Sequence, residues 1–288
     1  MNKYAVMDIG SNSVRLMFVA DGKILYKTLT TTRLGEGLAF KPLLKKEAIL
    51  RTANVVTQYY HQALNEGANL VLAFATAAVR FAENGQEFVT KVKELCGLTV
   101  EVLSGEEEAE IGILGAVGKA DGGVIDIGGA STEIVQKKAN QLIYKKSLDI
   151  GVVRLKDECE KDFNKLLAQS KVAVQQFKGV DAHLKMYAIG GTATTIAGVV
   201  LGLQNYQSNK ITGAKLSLEV LEYWAHRLTK LTTEEIQALP CMQKERADVI
   251  AGGVVLLYTL VKDLGFLEVI ASDRDNLEGY AIKRGLAV

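Results

Sequence analysis

A chain of 288 residues, 48% hydrophobic and 23% charged, has material for one large domain or two packed subdomains and is not a disordered segment. Its formal net charge of +1 supplies no global field that recruits nucleic acid, so any polyanion must meet a local basic patch. Cys96, Cys159 and Cys241 lack CxxC spacing and His61, His183 and His226 are dispersed, which disfavours zinc and fits buried thiols in a reducing cytoplasm.

The N-terminus runs almost directly into an apolar strand, with no basic segment, h-region or cleavage site. That strand opens the phrase "VMDIGSNSVRLMFV", which reads as strand, tight turn, strand. The dipeptide Asp21-Gly22 then marks a hairpin turn into a third strand. Further on, "NLVLAFATAAVR" is a strand that ends in small residues before a helix, with Arg80 at the exit. "LTVEVLSGEEEAEIG" is strand, polar turn, helix.

The phrase "VIDIGGASTEIVQK" then repeats the first without a gap, Asp8 landing on Asp126, Gly10 on Gly128 and Ser13 on Ser131. The register continues to Tyr144 and Lys145, which match Tyr26 and Lys27, and "KAN" from Lys138 takes the place of the first hairpin turn. "KMYAIGGTATTIAG" and "LEVIASDRDNLEGYA" repeat the other two elements in order. The apolar run "VIAGGVVLLYTLV", bracketed by Asp248 and Lys262, is shorter than the roughly 20 residues that span a bilayer and reads as a buried helix. The pattern predicts an α/β protein made of a duplicated subdomain, 1–120 and 121–288, with a cleft between the copies and a boundary near "GKADGG".

Turns rich in glycine and serine at strand ends present backbone N–H groups and hydroxyls, a geometry that suits phosphate oxygens. Asp8 and Asp126 would repel phosphate unless a cation lay between, so the pair implies a divalent metal, most plausibly magnesium. The plainer reading is a hairpin that needs glycine for backbone freedom and aspartate to cap it. Two such turns in register favour phosphate. Arg80 is either a phosphate ligand or a solvated helix-end arginine. Gly190, Gly191 and Thr192 form either an N–H nest or an ordinary turn. In "SGEEEAEIG", Ser104 and Glu107 match a capping box and Glu106 suits the helix dipole. Glu108, about 100° further round the helix, could orient a water and take its proton. Lys137, Lys138, Lys145 and Lys146 either guide a polyanion or protect strand edges.

In their order, "DIGSNSVRL", "ATAAVR", "SGEEEA", "DIGGASTE" and "IGGTATT" resemble the exopolyphosphatase/guanosine pentaphosphate phosphatase family, over nearly the whole chain. The resemblance implies two ribonuclease H-like subdomains of the actin-like ATPase superfamily. It implies a phosphohydrolase that removes the terminal phosphate from inorganic polyphosphate or from guanosine pentaphosphate. Glu108 maps to the family's proposed base. Asp8, Gly10, Ser11, Asn12 and Ser13 map to the first phosphate loop, and Arg80 to its arginine. Asp126, Gly128, Gly129, Ser131 and Glu133 map to the second loop, with Asp126 and Glu133 as the magnesium ligands. Ala130 stands where the family has a third glycine, which would distort the loop if that position needed positive φ. The chain matches the short form, without the C-terminal helical domain of longer members. The implied partners are the phosphate substrate and a second copy in a homodimer, with no nucleic acid and no membrane. Two rivals stay open: a small-molecule kinase of the same fold, and a non-hydrolysing nucleotide or polyphosphate sensor.

Overall fold

Apolar residues alternate through both copies of the repeated phrase and build matching antiparallel hairpins. The computed structural model describes residues 2–118 and 120–288, so Lys119, in the expected boundary segment, lies outside the described residues. In the first half the elements are β1 (Lys3–Ile9), β2 (Ser13–Ala20), β3 (Lys23–Thr31), α1 (Lys46–Asn65) and β4 (Leu70–Ala75). Next come α2 (Ala77–Phe81), α3 (Gly85–Cys96), β5 (Val100–Val102) and α4 (Gly105–Ala116). The second half runs β6 (Gly122–Ile127), β7 (Thr132–Lys138), β8 (Gln141–Leu148), α5 (Val152–Cys159), α6 (Phe163–Val174) and β9 (Met186–Ile189). It continues with α7 (Gly190–Val200), α8 (Ser208–Ile211), β10 (Lys215–Ser217), α9 (Leu218–Lys230) and α10 (Thr233–Gln237). The last elements are α11 (Ile250–Asp263), β11 (Glu268–Ala271) and α12 (Asn276–Lys283).

The first sheet has the order β3-β2-β1-β4-β5 and the second β10-β11-β9-β6-β7-β8. Read from its β8 edge, the second sheet repeats the first and adds β10. In both, the opening hairpin is antiparallel and its first strand pairs in parallel with the strand that comes after the helical crossover. The hairpin turns also match. Asp21 and Gly22 have φ of 48° and 74°, and Ala139 and Asn140 have 50° and 62°. Positive φ at both central residues is the type I′ arrangement, whose twist suits two-residue hairpins.

The chain divides into two compact units, Met1–Gly115 with Asn276–Val288, and Ala116–Asp275. The division expected from the sequence assigned all of 121–288 to the second subdomain; the structure returns α12 to the first unit. There the period-2 alternation of β1 separates two cores. Ala5, Met7 and Ile9 pack with residues of α1 and α3, including Val56, Phe88 and Val92. Tyr4 and Val6 pack with Phe74, Ile111 of α4, and Leu277 and Tyr280 of α12. No spacing rule announces that return, because it rests on contacts between residues more than 160 positions apart, Ile111 with Tyr280 among them.

In the second unit α11 forms the centre of one continuous core, buried from Ile250 to Val261. Among the described residues no helix is long and apolar enough to cross a membrane. All three cysteines are free, with Cys159 buried and the other two half-buried.

Candidate active site

The two turns are built alike. Gly10 N–H donates to the Ser13 carbonyl at 3.0 Å, and Gly128 N–H to the Ser131 carbonyl at 2.9 Å. The segment after each third strand closes over its turn. The amides of Thr32 and Arg33 bond the Asn12 carbonyl, and the Gly35 amide bonds that of Ser11. In the second unit the amides of Val152 and Val153, at the start of α5, bond the carbonyls of Gly128 and Gly129. With these carbonyls bonded, several side-chain atoms are left over. Ser11 Oγ, Asn12 Oδ1 and Ser131 Oγ are buried without a hydrogen-bond partner among the described residues. Buried polar atoms are almost always paired in folded proteins, so orphans in each of the two equivalent turns suit a ligand rich in hydrogen-bonding oxygens at that turn.

Ala130 does not distort its loop. It has no positive φ and is buried in the turn. The tight spot is Gly151, where an added Cβ would lie 2.5 Å from the Gly129 carbonyl carbon and 2.6 Å from Ala130 N. The position that requires glycine is the residue that closes over the loop.

The aspartates differ. Asp8 stands opposite Arg15 in the β1–β2 register, and the two form a salt bridge. Asp126 stands opposite Glu133 in the β6–β7 register, and both carboxylates are buried. Glu133 Oε1 accepts a hydrogen bond from Ser147 Oγ of β8 at 2.6 Å. For Asp8 the cation expected beside the carboxylate is therefore a side chain of the protein. Asp126 and Glu133 give two hard oxygen ligands on one sheet face, which fits a magnesium ion whose other ligands are water and substrate oxygens. Among the described residues no three His, Cys, Asp or Glu side chains cluster as a self-sufficient cage.

At the start of α7, Gly190 has φ of 78°, and a Cβ there would lie 2.8 Å from Asp126 Oδ1. At Gly191 an added Cβ would fall 1.3 Å from a terminal nitrogen of Arg246. These two glycines therefore make room for a carboxylate and a guanidinium. Thr192 Oγ1 lies 2.6 Å from where a Gly253 Cβ would be, so its side chain meets α11. Arg246, whose Nε donates to Gln243 Oε1 at 2.7 Å, has no signature in the sequence apart from the paired glycines it requires.

In the first unit, α2 carries Arg80 and α4 carries Glu108. Arg80 Nη1 donates to Glu108 Oε2 at 3.0 Å and to the Leu103 carbonyl at 2.8 Å. Arg80 Nη2 is buried with no partner among the described residues. Glu108 is buried, at 5% exposure, whereas Glu107 is half-buried and does separate work. Glu107 N–H bonds Ser104 Oγ at 3.1 Å, and Glu107 Oε2 accepts from Ser104 N–H at 3.0 Å, a reciprocal capping box. The Ser104 amide and hydroxyl hold the Glu107 carboxyl below the usual range. Two of the four lysines flanking the second hairpin are tied down locally. Lys137 donates to the Gly118 carbonyl and Lys146 to the Gln176 carbonyl.

The two α/β units repeat one topology, each opening on an antiparallel hairpin with a glycine- and serine-bearing turn. The sequence matches the Ppx/GppA phosphatase family over residues 16–284, and the chain belongs to that family; it is a hydrolase of phosphoanhydride bonds. It is 30% identical to exopolyphosphatase 2 of Mycobacterium tuberculosis, over 98% of each chain. Among solved structures it is similar to the Aquifex aeolicus Ppx/GppA family member, with 27% identity, coverage of 99% and 97%, and a TM-score of 0.80. It shares its fold with an exopolyphosphatase from Cytophaga hutchinsonii, at 23% identity, 99% coverage of each chain and a TM-score of 0.87.

Proposed function

We propose that the protein is an exopolyphosphatase that releases the terminal phosphate of inorganic polyphosphate by in-line attack of water. The observation that carries this reading is the part-buried Arg80–Glu108 pair, a carboxylate held by one guanidinium nitrogen while the second, itself buried, is left for an anion. In this reading Arg80 Nη2 and the turns around Ser11–Ser13 and Gly128–Ser131 bind phosphate oxygens. Glu108 orients the attacking water and takes its proton. Positioning and charge supply most of the rate enhancement. Asp126 and Glu133 hold magnesium, which when bound offsets charge on the phosphate oxygens. The relative from Mycobacterium tuberculosis, named for exopolyphosphatase activity and matching the chain end to end, supports polyphosphate as the substrate class.

The test is phosphate release in magnesium from long-chain polyphosphate, guanosine pentaphosphate and ATP, with Glu108→Gln beside the wild type. Release from polyphosphate that Glu108→Gln lowers by about 10²–10⁴-fold at little-changed KM is the expected result. Preferential release from guanosine pentaphosphate reassigns the substrate. Turnover of ATP alone favours the kinase, and binding without release favours the sensor.

A further inference from the structure

Each unit opens on a hairpin whose turn is closed by the segment that comes after the third strand, and the two segments differ in length. Between β8 and α5 the segment is residues 149–151, three residues, and between β3 and α1 it is residues 32–45, fourteen. The bonds that close the first turn are complete by Gly35, so residues 36–45 are left over from that task. We infer that this strap is the landing surface for the polyphosphate tail behind the terminal phosphate. This rests on the exopolyphosphatase reading and extends it to the part of the substrate that does not react.

The strap has no regular secondary structure, yet Leu34, Leu38 and Leu44 are buried in the core that also holds Val79 and Ala82. Irregular segments of this length are uncommon in compact units, and those pinned in place usually serve function. Its start is tied to the first turn through the Ser11 and Asn12 carbonyls. Its end is tied to the segment after α2. There Leu44 N–H donates to Asn84 Oδ1 at 2.8 Å, Asn84 Nδ2 to the Leu44 carbonyl at 3.0 Å, and Glu83 N–H to the Pro42 carbonyl at 2.8 Å. The turn and α2 themselves open from neighbouring parallel strands, with Thr76 N–H bonded to the Ile9 carbonyl. The strap therefore runs from one proposed phosphate element of the first unit, Ser11–Ser13, to the other, the helix of Arg80.

Its charge fits an anion that extends beyond those elements. Residues 32–51 carry Arg33, Lys41, Lys45, Lys46 and Arg51 against Glu36 and Glu47, a net +3 in a chain whose total is +1. Lys41 and Lys46 are exposed and have no acidic partner among the described residues. Lys45 lies 3.4 Å from Glu36 but keeps 55% of its side chain accessible, and exposed pairs of this kind hold weakly. Arg51 is fixed, since its Nε donates to the Thr32 carbonyl at 2.7 Å. A polyphosphate tail repeats its negative charge along its length and offers no base to stack, so flexible ammonium groups on a pinned backbone suffice to hold it. The strap also exposes Phe40, at 69%, and Leu43, at 45%, which makes an anionic lipid surface the rival occupant. The ties to the turn and to α2 favour the tail, because a lipid surface requires neither.

The experiment measures binding of end-labelled long-chain polyphosphate to the full chain by fluorescence anisotropy over a salt series, without divalent metal and with tripolyphosphate as competitor. Magnesium is then added and phosphate release is read on the same samples. Lys41→Gln/Lys45→Gln/Lys46→Gln is expected to weaken long-chain binding about tenfold or more at low salt. It should also flatten the log–log salt dependence by about two units, while affinity for tripolyphosphate shifts less than about twofold. Lys171→Gln/Lys178→Gln/Lys230→Gln removes the same charge from the exposed surface of the second unit and is expected to shift neither affinity by more than about twofold. Circular dichroism checks folding, and if the strap variant does not fold, Lys41→Gln/Lys46→Gln decides, with about fivefold weakening expected. Equal weakening for long and short polyphosphate, or equal weakening by the second-unit variant, overturns the inference and leaves the exopolyphosphatase reading to the release assay. Unchanged long-chain binding overturns it too, and if the strap variant instead loses binding to phosphatidylglycerol vesicles, the strap is a lipid surface. No release from either polyphosphate by the wild type overturns the exopolyphosphatase reading and the inference with it.

Discussion

Arg80 gives one terminal nitrogen to Glu108, at 3.0 Å, and withholds the other, which is buried without a partner among the described residues. The Leu103 carbonyl, 2.8 Å from the same Nη1, fixes the fork from behind. Leu103 precedes the capping box that starts α4, so the segment that positions Arg80 also positions the helix bearing Glu108. The proposed base and the proposed phosphate ligand are set by one short stretch, 103–108.

That geometry requires a planar fork, which lysine lacks. Arg80→Lys keeps the charge, but a single ammonium cannot satisfy Leu103, Glu108 and a phosphate oxygen in the same directions. The expected outcome is a fall in kcat/KM of about tenfold or more, most of it in KM, since binding of the phosphate is what the second nitrogen supplies. Steady-state kinetics on polyphosphate check this. A change confined to kcat would argue that Arg80 acts only through Glu108.

The glycines that open α7 make a second, separable prediction. Gly190→Ala forces a side chain onto positive φ at a cost of about 1–2 kcal/mol and pushes against Asp126. Gly191→Ala leaves φ alone but drives a methyl group into the Arg246 guanidinium. Gly190→Ala is therefore expected to lower thermal stability and weaken Mn²⁺ binding, whereas Gly191→Ala displaces Arg246 and leaves Mn²⁺ affinity near wild type. Melting curves and metal titrations on both variants separate the two roles.

The capping box gives a prediction in pH. Ser104 holds the Glu107 carboxyl below its ordinary pKa, so the folded state favours the ionised form. A depressed folded pKa adds stability above the unfolded pKa, near 4.3 for glutamate, and that stability is lost as pH falls through the folded value. Glu107→Ala should thus be less stable than wild type at pH 7, and the gap should close progressively below about pH 4. Ser104→Ala removes the reciprocal hydroxyl at a cost of about 1 kcal/mol. Equilibrium unfolding at several pH values checks both.

The features legible in the sequence are those that repeat or are local. The shared offset from Asp8 to Asp126 exposed the duplication, and the sheet orders carry it. The hairpin turns at Asp21 and Ala139 and the box at Ser104 and Glu107 are short-range chemistry with known residue preferences. Arg246 against Gly191, Arg15 against Asp8 and α12 against α4 were invisible for different reasons. The first and last are long-range packing. The second lies within one hairpin, but only the register shows that Arg15 and Glu133 occupy the same place with opposite charge. Thr192 follows two glycines, and only the fold shows that its side chain meets α11 at Gly253.

The return of α12 yields the last prediction. A Cβ built on Gly279 would sit 1.6 Å from the Ile111 carbonyl oxygen, so α12 meets the backbone of α4 with no side chain between them. Ile111 lies three residues beyond Glu108 on the same helix, and Leu277, Tyr280 and Ala281 share its core. Tyr280 also donates to Glu101, and Arg284 pairs with the same carboxylate, which anchors the end of α12 to β5. Gly279→Ala must move one helix or the other, an overpacking change of about 1–3 kcal/mol. If α4 yields, Glu108 moves with it and kcat falls alongside the melting temperature. If α12 yields, stability drops while kcat at a temperature well below the transition stays near wild type. Since the capping box and the Arg80 contacts hold the start of α4, where Glu108 lies, the second outcome is expected. Thermal melts and kcat measured on the same preparation distinguish them.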